Sequence, residues 1–124
     1  MAQFSAEDLR VLAQTDEVEI ETPRASGNSR RTTIWIVVDG ERVYVRSVRG
    51  PAGRWYQAVV SGSDARLHAG PRTWAIRTTP VGDQAEVDRV SEAIRRKYRD
   101  RWPGPTAAML RPDVMPTTLR VEAV

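Results

Sequence analysis

The sequence predicts a mainly β fold with added helices (β+α), a small barrel of about six strands in which residues 1–124 form one domain. Two observations carry that expectation. Arg31–Val38 and Glu41–Val48 each set apolar side chains at alternate positions, and Asp39-Gly40 between them suits a two-residue hairpin turn. Four further alternating runs lie at residues 17–22, 65–69, 73–79 and 119–123, and long helical spacing is confined to Asp83–Arg101.

In chain order, Ser5 can cap a short N-terminal helix, with Asp8 three residues on and Leu9 and Leu12 on one face. Val18 and Ile20 alternate with Glu17, Glu19 and Glu21 in a first strand that ends at Thr22-Pro23. Arg24–Ser29 is a loop marked by Ser26-Gly27-Asn28, and Gly50-Pro51-Ala52-Gly53 is another, flanked by Arg49 and Arg54. Residues 55–60 form a short helical turn. Asp83–Arg101 is the long helix: Asp83 and Glu86 pair at its start, Val87, Val90, Ile94 and Tyr98 share one side, and bases gather at its end. Trp102-Pro103-Gly104-Pro105 stops it, and Leu119, Val121 and Ala123 alternate in a closing strand.

A turn at Asp39-Gly40 fixes a register. Val38 faces Glu41, Ile36 faces Val43, Trp35 faces Tyr44, Ile34 faces Val45, Thr33 faces Arg46, Thr32 faces Ser47, and Arg30 lies across from Arg49. One face, with Ile34, Ile36, Val38, Val43 and Val45, belongs in a core. The other places Trp35 and Tyr44 among Arg31, Arg42 and Arg46, and so meets a helix, a second chain or a ligand.

Composition narrows the chemistry. The chain has no Cys and a single His, His68, which excludes disulfides, thiolate metal sites and Cys nucleophiles, and no acidic run has the spacing of a calcium loop, so no metal is expected. No apolar run approaches the roughly eighteen residues a spanning helix needs. The start MAQFSAEDL lacks the basic and apolar regions of a secretory signal, so no membrane partner and a cytoplasmic location are expected. Motifs of serine hydrolases, P-loops and dinucleotide-binding turns are absent. Charge is divided: residues 1–22 carry net −5, and residues 24–54 carry net +5 from seven arginines. Arginine offers a planar fork of donors suited to phosphate or carboxylate.

Those arginines gather with hydroxyls at one end of the hairpin. Arg30, Arg31, Thr32 and Thr33 enter one strand, and Arg46, Ser47 and Arg49 leave the other. Crowded guanidinium groups repel one another, and an anion between them relieves that repulsion. Gly50 and Gly53 let the following backbone come close to a ligand. The pattern points to a small molecule carrying phosphate; a surface belt of ion pairs to the acidic first strand is the structural alternative.

Ser26-Gly27, Arg30, the hairpin, Ser47-x-Arg49-Gly50 and Trp55-Tyr56 together resemble the FMN-binding split-barrel superfamily over roughly residues 17–80. The nearest branches are the deazaflavin-dependent nitroreductase-like proteins and a related group of small bacterial domains of unknown function. The resemblance implies a split barrel, an FMN or deazaflavin cofactor, and a reductase of small organic substrates. It implies that Ser26, Gly27, Arg30, Ser47, Arg49 and Gly50 surround the cofactor phosphate, with Trp55 and Tyr56 bracing the loop or bordering the pocket. It also implies a homodimer, with the Trp35/Tyr44 face at the interface. No catalytic residue is assigned, though Tyr44 or Tyr56 could pass a proton. Three positions depart from the pattern: Ala25 where a base is common, Ser29 where Pro is common, and Ala58 where Asn usually follows Trp-Tyr. The departures at Ala25 and Ala58 favour the alternative of a non-catalytic barrel that binds another anionic ligand or a partner protein. A nucleic-acid partner, suggested by the pI of about 9.9, is disfavoured because acids offset the bases on the long helix.

Overall fold

The computed structural model describes residues 3–124. Met1 and Ala2, the beginning of the stretch read for a leader, lie outside the described residues. The N-terminal helix α1 (Ala6–Gln14) starts with a reciprocal cap: Asp8 N donates to Ser5 Oγ and Ser5 N donates to Asp8 Oδ2, both at 3.0 Å. Strand β1 (Glu17–Pro23) turns Val18, Ile20 and Thr22 inward, as its alternation requires. It pairs antiparallel with β2 (Ser29–Trp35), from Glu17 opposite Trp35 to Pro23 opposite Ser29.

Where the sequence implies one long strand from Arg31 to Val38, the chain breaks at Ile36. Strand β3 (Val37–Asp39) then pairs with β4 (Arg42–Val45) instead of continuing β2. The cause lies far along the chain, in helix α3 (Gln84–Tyr98). Ile36 N donates to the Tyr98 hydroxyl at 3.1 Å, and Ile36 O accepts from Lys97 Nζ at 2.7 Å. The backbone groups that leave the ladder are thus satisfied by two side chains of α3, and the break costs no buried hydrogen bond.

The register shifts as a result. Asp39 faces Arg42, Val38 faces Val43 and Val37 faces Tyr44, so Gly40 and Glu41 are the loop residues. Gly40 has φ 64° and no described non-glycine residue has positive φ, which suits a turn with glycine first rather than the two-fold positive turn expected of Asp-Gly. The shift is two residues in pairing, so side-chain parity is kept. Ile34, Ile36, Val43 and Val45 remain on one face, with Trp35, Val37 and Tyr44 on the other. The cross-strand pairs Thr33–Arg46, Thr32–Ser47 and Arg30–Arg49 do not form; on β2 those positions face Glu19, Ile20 and Thr22 of β1.

Helix α2 (Arg54–Val60) occupies the stretch where a helical turn is expected. Strands β5 (Ala65–Ala69) and β6 (Arg72–Pro80) form the next hairpin, α4 (Pro103–Met109) follows α3, and β7 (Leu119–Ala123) closes the sheet. The order is β2-β1-β5-β6-β7-β4-β3, antiparallel throughout. Strands β2 and β3 sit at opposite edges yet are separated by one residue, so the sheet must curl until its edges meet. The result, among the described residues, is a half-barrel of seven strands and four α-helices, more of each than the sequence suggests.

Two apolar layers follow. Inside the curl, Leu12, Ile20, Ile36, Leu67 and Leu119 pack with Trp55 and Val59 of α2. Outside, Val37 and Tyr44 pack under Val90, Ile94 and Tyr98 of α3 and Met109 of α4. Trp35 stacks on Tyr98 with centroids 3.8 Å apart and planes 8° off parallel. The middle of the Trp35/Tyr44 face is therefore covered by the chain's own helices, with Val37 and Tyr44 buried and Trp35 half-buried.

Candidate functional site

The residues after β4 form a fastened loop rather than a continuing strand. Ser47 N donates to Thr117 Oγ1 at 3.0 Å, Ser47 Oγ donates to Gly50 O at 2.8 Å, and Arg111 Nη2 donates to Val48 O at 2.9 Å. A 3₁₀ turn at Gly50–Ala52 leads into α2. The loop is packed tightly: a Cβ on Gly53 would stand 2.3 Å from Ser47 Oγ. This arrangement brings the loop toward the free edge of β2, and between them lies a cavity of about 820 Å³. That volume is within the range of small-molecule sites.

Seven of the residues singled out from sequence line it: Arg30, Thr32 and Thr33 on β2, Arg46, Ser47 and Arg49 after β4, and Trp55 in the first turn of α2. They converge across the seam of the curled sheet and not through a hairpin ladder, so the gathering is as expected while its route is different. Five others lie elsewhere. Ser26 and Gly27 form the turn between β1 and β2, where Gly27 N donates to Arg24 O at 3.0 Å. Arg31 faces β1 and pairs with Glu19 and Glu21 at 3.4 and 3.9 Å. Gly50 is buried against Asp113, and Tyr56 packs edge-on to Trp55 and against the inner core.

Sequence reasoning left other wall residues out. Val48 and Gly53 come from the same loop and Arg54 opens α2; Gly53 carried a signal as a glycine that lets the backbone approach a ligand, and Arg54 as the second arginine flanking Gly50–Gly53. Trp35 also lines the cavity, joined by Trp102 and Pro105 from the start of α4, and by Asp16 and Glu17. Trp102 carried no signal beyond its place in a helix-stopping motif. Its ring lies 6.1 Å from Trp35 and beneath the Arg101 guanidinium at 4.4 Å, and Arg101 is held by Asp16 in a two-point ion pair at 2.6 and 2.8 Å.

The charges of the cavity fall into three kinds. Arg30, Arg49 and Arg54 make no ion pair among the described residues. Desolvation, with Arg24 and Arg54 nearby, lowers the pKa of Arg30, the sign of a crowded cationic rim. Asp16 is already engaged by Arg101, whose hydrogen bonds hold its carboxyl below the usual range. Arg46 differs from the rim arginines: it is 2% exposed and donates to Thr118 Oγ1, Met109 O, Val87 O and Ser91 Oγ at 2.8 to 3.1 Å. The cavity wall thus combines arginines free of ion pairs among the described residues, Arg30 half-buried and Arg49 and Arg54 exposed, with the apolar side chains of Trp35, Trp102 and Met109.

No curated protein matches the sequence. Solved structures do match in fold. They include a candidate pyridoxamine 5′-phosphate oxidase from Listeria innocua (TM-score 0.62, 12% identity, 95% of this chain and 90% of that one). The heme storage protein HutZ from Vibrio cholerae matches at TM-score 0.64 and 11% identity, covering 98% of this chain and 91% of HutZ. An F420-H2 dependent reductase, FDR-A, matches at TM-score 0.58 and 13% identity, covering 86% and 92%. Two further matched chains are longer, and this one spans 54% and 51% of them. At these identities the likeness is one of fold, the split barrel. Residues 8–121 match the family described as "Uncharacterized protein conserved in bacteria (DUF2255)". The chain belongs to that bacterial family, DUF2255.

Proposed function

We propose that the cavity binds a flavin- or deazaflavin-type cofactor and that the protein is a reductase of a small organic substrate. The observation that carries this reading is the convergence of Arg30, Arg49 and Arg54, free of ion pairs among the described residues, on a cavity walled by Trp35, Trp55 and Trp102. The rim arginines suit the phosphate, and the tryptophans suit a planar ring. When bound, such a cofactor supplies hydride transfer, while the protein orients it and excludes water. Fold neighbours that include an F420-H2 dependent reductase are consistent with this chemistry.

Tryptophan fluorescence titrated with FMN and with a deazaflavin coenzyme tests it. Quenching that saturates is expected, with affinity reduced about tenfold or more in Arg49→Ala, since a charge-assisted hydrogen bond is worth about 1.5–3 kcal/mol. Absence of quenching by both would remove the reductase reading.

A second reading, a non-catalytic barrel for another anionic ligand, is favoured by one observation. Ser26 and Gly27, which the family resemblance assigns to the cofactor phosphate, do not line the cavity. HutZ, a heme storage protein, shares the fold. Recovery of a different small molecule by native mass spectrometry would support that reading.

A further inference from the structure

The sheet has two edge strands, β2 and β3, and they are finished differently. β3 packs against α1 and α3, and the backbone of Ile36 just before it is taken up by Tyr98 and Lys97. β2 pairs with β1 on one side alone. In an antiparallel ladder every second residue turns its N–H and C=O away from the partner strand. Among the described residues, no backbone hydrogen bond beyond that ladder joins Ser29–Trp35 to any other segment. The cavity shows where the unpaired groups lie. Thr32, Thr33, Ile34 and Trp35 are consecutive, and all four line it. A sheet face presents only alternate residues, so the cavity meets β2 along its edge.

An unpaired strand edge is a template for another extended chain, and the side chains around this one decide which chain suits it. Arg30, Arg49 and Arg54 stand at the cavity with no ion pair among the described residues. A second copy of the edge would bring the same positive charges, whereas an acidic chain relieves them. Val48 and Trp102, 45% and 36% exposed, line the same cavity and offer apolar contact. A strand laid along β2 turns its side chains alternately to the two faces of the sheet. One set joins Arg30, Thr32 and Ile34, and the other joins Thr33 and Trp35. The chain that suits both is acidic where it meets Arg30 and apolar where it meets Trp35.

We propose that the free edge of β2 docks an extended, acidic segment of a partner protein, which adds an eighth strand to the seven-stranded sheet through backbone hydrogen bonds. This goes beyond the cofactor reading: it concerns the backbone of β2, and shares with that reading only the attraction of the rim arginines for negative charge.

The probe is a heptapeptide of alternating glutamate and valine, blocked at both ends and matched to the seven residues of β2. One control replaces its glutamates with lysines. A second is the ester analogue, in which oxygen replaces each peptide N–H while charge and side chains stay the same. By isothermal titration at low salt, the glutamate peptide should bind about tenfold tighter or more than the lysine peptide. It should also bind about tenfold tighter or more than the ester analogue, which loses several backbone hydrogen bonds. Amide exchange at alternate residues of β2 should slow when it binds. No binding of the glutamate peptide, equal affinity for either control, or unslowed β2 amides would each overturn the proposal. So would protection of those amides in the free protein by a second copy, seen as a dimer in sedimentation. Saturable quenching by FMN without peptide binding would remove the docking edge alone; peptide binding without quenching by FMN or a deazaflavin would remove the cofactor reading alone.

Discussion

Gly53 has ordinary backbone angles, so its importance is steric: a methyl group there would meet Ser47 Oγ at 2.3 Å, and Ser47 is locked to Gly50 and Thr117. Gly53→Ala should lower stability by about 1–3 kcal/mol and loosen the loop that carries Arg49; denaturant unfolding measures the first, and phosphate affinity the second. Glu86 is buried under three partners, Tyr44 Oη at 2.5 Å, Arg120 at 2.8 Å and Arg42 at 3.3 Å. The Tyr44 and Arg120 hydrogen bonds hold its carboxyl below the usual range despite burial. A lowered folded pKa means that its stabilisation is present above the unfolded value and is lost as pH falls through the folded one. Glu86→Gln should cost about 2 kcal/mol at neutral pH and flatten the acid limb of the stability profile. Lys97, the only lysine, shifts stability with the same sign but in an alkaline window. Burial lowers its pKa to about 8, below the ordinary 10.5, so stability gained from its neutral form rises between those two values as pH rises. Because it is single, its ¹³Cε resonance reports it alone. A titration midpoint near 8 is expected, and one near 10.5 would show that Lys97 is solvated.

At the scale of elements, the break at Ile36 sets the fold. It divides what the alternation presents as one strand, sends β2 to β1 and β3 to β4, and so places Arg30 and Arg49 across a seam. The Tyr98 hydroxyl accepts from Ile36 N and also lies 2.7 Å from Asp16 O and 2.9 Å from Ile36 O. Tyr98→Phe leaves those buried groups short of a partner and should cost about 1–3 kcal/mol, with amide exchange at Ile36 accelerated; unchanged exchange would assign the break to another cause. Local pattern reveals what is local: the Ser5 cap, the inward Val18 and Ile20, the helical face of α3 and the faces of the hairpin were all legible. The interruption was not, because its cause is Lys97 and Tyr98, more than sixty residues away and visible only after packing. Helix α4 was hidden for another reason: Pro103, Gly104 and Pro105 read as a stop, yet proline is at ease in a first helical turn.

At the scale of the molecule, curling converts sequence separation into a site. The acidic first segment and the basic second one do not simply neutralise each other. Arg31 turns to Glu19 and Glu21, while Arg30, one residue away on the other side of β2, turns to the cavity. This is why the charge division was legible and its consequence only in part: which arginine is spent on an ion pair depends on where the acids of β1 lie once the strands pair. Trp102 and Asp16 join the site through α4 and the α1–β1 connection, which no hairpin register could place. The central claim is that the rim arginines hold a phosphate while the tryptophan walls hold a ring. Isothermal titration with FMN and with riboflavin, which lacks the phosphate, tests it most directly. FMN should bind about tenfold tighter or more, and Arg30→Ala should narrow that advantage. Equal affinity for the two, unchanged by Arg30→Ala, would contradict the account.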